Sequence, residues 1–198
     1  MSTYQYERYL MTSERLASRK GKKVTLVDPA QLDRFLLELE ADESIDLLFR
    51  AILAVGISIG GRIEETLSLK KGQITGSKVK SIRVLKKRNQ AVFRDGKLHP
   101  AAERLLARIL PHRRPHEFIF QSVRQAWVLR RVKITFGQGC DTHGICRFTH
   151  ISYLVHLGKE GLKIAAQMKF SSVAVAYSYT AIRQAEIEDL YESEKKAA

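Results

Sequence analysis

Two tyrosines, Tyr177 and Tyr179, stand two residues apart in the stretch FSSVAVAYSYTAI. A phenol becomes a nucleophile only where neighbouring groups take its proton and steady the charge that develops on its target. Without such neighbours either ring is packing. Groups of the right type are spread along the chain. In GGRIEETLSL, Arg62 follows two glycines and opens a helix with Glu65 one turn on. This sets a guanidinium near a helix N-terminus with a carboxylate to orient it; taken alone, the pair is an ordinary surface i, i+3 bridge. RVLKKRNQ sets Lys86, Lys87 and Arg88 in a polar turn, which is either solvated or able to swing a lysine toward a ligand. THGICRFTHISYL starts a helix with Arg147 between His143 and His150.

The last segment also offers metal chemistry. Cys140, His143, Cys146 and His150 form a C-x2-H-x2-C-x3-H pattern of zinc-competent residues. The spacing is not that of a standard knuckle and CRFTH belongs to a helix, so no metal site is expected. The two cysteines are read as reduced thiols. His99, His112, His116 and His156 are scattered and read as surface or core.

The elements that must position these groups share one basic chain of 198 residues, long enough for one main core. Lys and Arg number 34 against 21 Asp and Glu, a net charge of +13, which points to a polyanionic partner. No apolar run reaches the length of a membrane span and MSTYQYERYL lacks a signal-peptide core, so a cytoplasmic protein is expected. Residues 1–25 read as a basic arm or an isolated short helix, broken at Gly21. VDPAQLDRFLLELE is an amphipathic helix: Asp28 caps it, Pro29 suits its first position, and Leu32, Phe35, Leu36 and Leu39 recur at i, i+3, i+4, i+7. SIDLLFRAILAVGISIGG is a deeper helix ending in glycines, and RIEETLSLKK a short one stopped at Gly72. Val79, Ile82, Val84 and Val92 mark a small hairpin or three-stranded sheet around the turn at 86–90. Helical periodicity returns in HPAAERLLARIL and SVRQAWVLRRVKITFG, then at 147–157, 161–169 and 180–195. On the second of these, Trp127 reads as a core anchor, while Arg124, Arg130, Arg131 and Lys133 offer a basic stripe able to face a polyanion such as DNA. The fold class is mainly α with a small antiparallel β-sheet, α+β.

Taken jointly, the ordered pieces resemble the catalytic domain of the tyrosine recombinase (phage integrase) family over roughly residues 28–182. The family's first box, G-x-R-x-x-E, matches Gly60, Arg62 and Glu65; its hairpin lysine falls at Lys86, or at Lys87 if the turn shifts by one. The second-box arginine and its helix match Arg147, Thr149, Leu154 and Gly158, and the terminal Y-T matches Tyr179 and Thr180, 32 positions after Arg147. The resemblance implies that Tyr179 attacks a DNA phosphodiester, that Arg62 and Arg147 clamp its non-bridging oxygens, and that Lys86 protonates the leaving 5′ oxygen. Tyr177 is then packing. A 3′-phosphotyrosyl intermediate conserves the bond energy of the phosphodiester it replaces, so no cofactor is needed. Implied partners are double-stranded DNA and further copies of the chain, a dimer or tetramer on DNA. Implied domains are an arm over 1–25, a catalytic domain over 26–182, and a C-terminal helix or tail over 183–198.

Two positions depart from the pattern. Three before Arg147, where the family has histidine, stands Gly144; nine before Tyr179, where it has histidine or tryptophan, stands Phe170, preceded by Lys169 in place of glycine. A local bulge would bring His143 into the first position, and His150, one turn into the helix, faces roughly the same side as Arg147. The alternative reading is a recombinase-fold DNA-binding regulator or accessory protein that has lost its chemistry. An RNA-binding or ribosome-associated protein would explain the charge but not the ordered boxes.

Overall fold

The computed structural model describes residues 6–14, 23–84 and 91–179. Asp28 accepts a hydrogen bond from the Ala30 N–H at 3.0 Å, and Pro29 opens a single 3₁₀ turn that runs into helix α1, Leu32–Ala41. Leu32, Phe35, Leu36 and Leu39 are buried, as their spacing predicts. Helix α2, Leu47–Ile59, starts on Asp46, whose carboxylate accepts from the Phe49 N–H. It is buried on nearly every side because α1, a helix over Pro100–Ala107 and the segment carrying Arg147 all pack against it. Its last turn closes on Gly60, in the left-handed conformation at φ 58°. Helix α3, Ile63–Leu67, is shorter than RIEETLSLKK suggests.

Strands β3 (Ile74–Thr75), β4 (Lys78–Val84) and β5 (Val92–Lys97) form the expected antiparallel sheet in the order β3-β4-β5. Val79, Ile82 and Val84 are all buried although strict alternation would turn one of them outward. A register shift between Val79 and Ile82, with Ser81 at φ 54°, absorbs the extra residue. Helix α4 is Pro100–Ala107 and α5 is Gln125–Phe136, which buries Val128, Val132 and Phe136. Trp127 is half-buried and meets Phe49 edge-on, consistent with an anchor.

The N-terminal segment differs from the expected arm or isolated helix. Strand β1, Leu10–Glu14, pairs antiparallel with β2, Lys23–Val27, from Leu10 opposite Val27 to Glu14 opposite Lys23. Tyr6 and Tyr9 are buried against Phe35, and Tyr6 also meets Phe136. Two aromatic rings thus outweigh the basic character of the segment, and there are two small sheets among the described residues rather than one.

After α5 the chain enters a π-helical segment, His143–Phe148, that continues directly into α6, Thr149–His156. Helices α7 (Gly161–Met168) and α8 (Val173–Tyr177) follow. A second small core of Ile151, Leu154, Ile164, Ala165, Met168 and Ala176 joins α6 to α8, with Phe170 and Tyr179 packed on it. The expected helix over 180–195 and the turn bearing Lys86, Lys87 and Arg88 lie outside the described residues.

Candidate active site

The α2–α3 turn determines where Glu65 sits. Arg62 is the N-cap of α3 and Glu65 its third residue, so the carboxylate folds back and accepts from the Arg62 N–H at 3.0 Å. The same Oε2 accepts from Arg147 Nη2 at 2.7 Å and faces Arg94 Nη2 at 3.5 Å, while Oε1 faces Arg62 Nη1 at 3.3 Å. The two carbonyls at the end of α2 are taken by the same arginines: Arg147 Nε donates to Gly60 O at 2.9 Å and Arg94 Nη1 to Ile59 O at 2.7 Å. The Glu65 side chain is 0% exposed, those of Arg147 and Arg94 1%, and that of Arg62 37%, so Arg62 is the guanidinium of the three that fronts solvent. Three guanidinium groups around one carboxylate leave a surplus of positive charge. Burial pulls Arg147 down to about 10, opposed by Glu65 and reinforced by Arg62 and Arg94. Arg147 therefore stays charged at neutral pH, in a place that favours an incoming anion.

Tyr179 lies beside this cluster and acts to raise the Arg147 pKa, so the phenol falls within the guanidinium's field. Its half-buried ring is nearly parallel to Phe170 at 5.2 Å and 8°, tilted on Phe148 at 4.8 Å, and meets His143 edge-on at 5.4 Å. The π-helical segment is what brings His143 here. A wider turn holds one residue more than an α-helical turn, which re-aims the side chains before Arg147. The segment is a local widening of the kind that would bring His143 forward, and an imidazole stands beside Tyr179 although position 144 is glycine. Glycine is required at that position: a Cβ on Gly144 would collide with the Thr25 carbonyl oxygen of β2.

His150 is not brought to this face. Its ring packs beneath the α2 terminus, where a Cβ on Gly60 would come within 2.5 Å of its Cδ2. One ring nitrogen bonds the Ile57 backbone, and burial, aided by the charges of Arg94 and Arg147, drives its pKa down to about 3. A neutral imidazole behind the arginines fills space and is a correction to its reading as a catalytic candidate. Tyr177 is buried with its hydroxyl against Gly161 and acts as packing. The C-x2-H-x2-C-x3-H residues diverge. Cys140 Sγ bonds the Phe136 carbonyl at 3.3 Å, and Cys146 Sγ faces Gly56, where burial pushes the thiol up to about 12. Among the described residues no three His, Cys, Asp or Glu side chains converge as metal ligands.

Gly60→Ala is expected to cost about 2–5 kcal/mol of stability in urea denaturation, from a left-handed residue at about 1–2 kcal/mol and from overpacking at about 1–3 kcal/mol. The two terms arise from backbone conformation and from the His150 ring, so Gly60→Ala combined with a smaller residue at 150 should recover part of the loss. A loss below about 0.5 kcal/mol would refute the packing described.

No family model matches the sequence, and no curated protein does. Solved structures do. The XerA recombinase aligns at TM-score 0.61 with 18% identity, over 82% of this chain and 60% of its own. The Tn1549 transposon integrase in complex with transposon right end DNA aligns at 0.60 with 13% identity, over 87% and 66%. The XerH site-specific recombinase bound to its palindromic difH substrate aligns at 0.60 with 16% identity, over 83% and 51%. The fold is that of the tyrosine recombinase catalytic domain. The chain spans between 51% and 66% of the length of these three chains.

On this recombinase fold the basic residues of α5 occupy more than one stripe. Arg124 and Arg131, seven positions apart, share a flank, and Arg131 lies over the Trp127 ring at 5.4 Å. Arg130 is exposed opposite the Val128–Val132–Phe136 side, and Lys133 is half-buried on the other flank. One residue of the site, Arg94, went unread in the sequence, and the role of another, Phe170, was visible only in the fold. Arg94 sits at an inward position of β5, the signal being its place between exposed Phe93 and Asp95. Phe170 was read as a departure, and its stack on Tyr179 is a contact between residues on separate turns of chain.

Proposed function

We propose that the chain is the catalytic part of a DNA tyrosine recombinase or integrase, cleaving and rejoining double-stranded DNA through a 3′-phosphotyrosyl intermediate. One observation carries the reading: Tyr179 meets His143 and lies in the field of Arg147, which shares the Glu65 carboxylate with Arg62. Tyr179 Oη attacks phosphorus while His143 accepts its proton. Arg62 and Arg147 hold the non-bridging oxygens as charge builds on them. Lys86, or Lys87, donates a proton to the leaving 5′ oxygen; rejoining reverses the steps, with no cofactor. The known DNA complexes of the Tn1549 integrase and XerH support DNA as the partner. Assembly as a dimer or tetramer on DNA is part of the proposal, through the apolar stripe of Ile182, Ile187 and Leu190 in the tail. Among the described residues no helix is long and apolar enough to cross a membrane. A cytoplasmic, DNA-associated protein is proposed.

A second reading is favoured by Phe170. Stacked on Tyr179, it offers no hydrogen bond to a phosphate, and the chain would then be a DNA-binding regulator. Incubation with a nicked duplex carrying the cognate site, followed by denaturing electrophoresis, separates the two: a covalent adduct supports the recombinase, and binding without adduct supports the regulator.

Both readings require binding to DNA phosphates. With a net charge of +13, log K for duplex DNA should fall with log salt at a slope of about −0.9 per neutralised phosphate. Fluorescence anisotropy across a salt series measures it, and a flat dependence would count against any DNA role.

A further inference from the structure

We propose that the N-terminal hairpin is a positioning element of the site, and that the hydroxyl of Thr149 is the contact through which β2 holds the π-helical turn that presents His143 to Tyr179. Thr149 is fully buried and its Oγ1 accepts from the Val27 N–H at 2.9 Å, across 122 residues of sequence. The same hydroxyl donates to Gly144 O at 3.3 Å, inside the π-helical segment. One side chain therefore satisfies a donor on the edge of β2 and adds a second hydrogen bond to the Gly144 carbonyl, which the wide turn already pairs with the Thr149 N–H.

Two further contacts lock the same junction. The Thr25 carbonyl of β2 approaches so closely that only glycine fits at 144, and the Gly144 N–H is held by Asp141 Oδ1 at 2.6 Å. The strand is itself anchored: Leu26 and Val27 are fully buried, Val27 pairs with Leu10, and the Asp28 N–H donates to Tyr9 O at 2.8 Å. Narrowing the turn to α-helical spacing would pull Gly144 from its seat on Thr25 and rotate His143 away from the Tyr179 ring. The hydroxyl touches no reacting atom, so Thr149 acts through His143. The inference rests on the proposed function for its rate effect but not for its geometry.

Its test uses the full chain, with labelled histidine, and the His143 ring resonance assigned through His143→Gln. In the wild type the Tyr179 and Phe148 rings should displace that resonance. Thr149→Val keeps the shape and removes the hydroxyl; it should move the resonance toward that of an exposed histidine, while Thr149→Ser should restore the wild-type position. On a nicked site, adduct formation by Thr149→Val should fall by about 10²-fold, the worth of a general base, with DNA affinity unchanged and the limb of the pH profile due to the histidine lost. An unmoved resonance in folded Thr149→Val overturns the inference. So does a Thr149→Val chain that fails to fold, since the hydroxyl would then hold the fold and not the histidine. A moved resonance with no adduct from any variant, wild type included, keeps the positioning role and rejects the recombinase reading instead.

Discussion

Tyr179→Phe should abolish the covalent protein–DNA adduct on a nicked cognate site, a fall of at least about 10⁴-fold in rate, while Tyr177→Phe leaves the adduct rate within a few-fold of wild type. The two rings are two residues apart but differ in surroundings. Tyr179 is half-exposed, touches His143 and raises the pKa of Arg147; Tyr177 is buried with its hydroxyl against Gly161. Phenylalanine at 179 keeps the stack on Phe170 and the contact with Phe148, so thermal unfolding should not change, which isolates the chemical effect of the hydroxyl. Loss of the hydroxyl at 177 should cost about 1 kcal/mol of stability. Phe170→His adds a donor where the phenyl ring now stacks, and should raise the adduct rate by up to about 10²-fold. If neither the wild type nor Phe170→His forms an adduct on a nicked site that both demonstrably bind, the regulator reading stands.

The second large effect is on stability. Glu65→Ala leaves Arg147 and Arg94, both almost wholly buried, without their counter-charge, and removes the carboxylate that accepts from the Arg62 N–H. Breaking a buried pair in this way costs about 3–5 kcal/mol, enough to halve or exhaust the stability of a typical domain. Urea denaturation should show it, with Glu65→Gln milder because the amide oxygen still accepts at the cap. Arg62→Ala is the contrast. Its guanidinium is 37% exposed, so stability should change by no more than about 1 kcal/mol, while adduct formation falls by about 10²-fold or more. If Arg62→Ala destabilised as much as Glu65→Ala, Arg62 would be a structural arginine and the proposed clamp would lose its exposed half.

Much of the fold was open to reading because its causes are local. Asp28 and Pro29 announce the start of α1, and the Leu32–Phe35–Leu36–Leu39 spacing its buried face. Gly60 ends α2 because only a residue free to adopt φ 58° closes the helix there. Glu65 returns to the Arg62 N–H because three residues separate a cap from its partner, so half of the arginine cluster could be placed from one short stretch. The Lys86 and Lys87 turn, the tail helix and the assembly it would mediate stay as proposals, since those residues lie outside the described structure.

What tertiary structure alone decided are contacts between residues far apart in sequence. No local signal marks residues 6–14 as part of the core; Tyr6 and Tyr9 gain their burial from Phe35 and Phe136. Three histidines and cysteines near Arg147 read alike in sequence, yet packing sent His150 beneath Gly60 and Cys146 against Gly56, and left His143 with Tyr179. The π-helical turn that made this division depends on the carbonyl of Thr25 and the N–H of Val27, supplied by a strand more than a hundred residues earlier. Periodicity reports which face of an element is apolar. It carries no information on which backbone will press on that face, and here the width of one helical turn, and with it the identity of the histidine beside Tyr179, is set by that pressure.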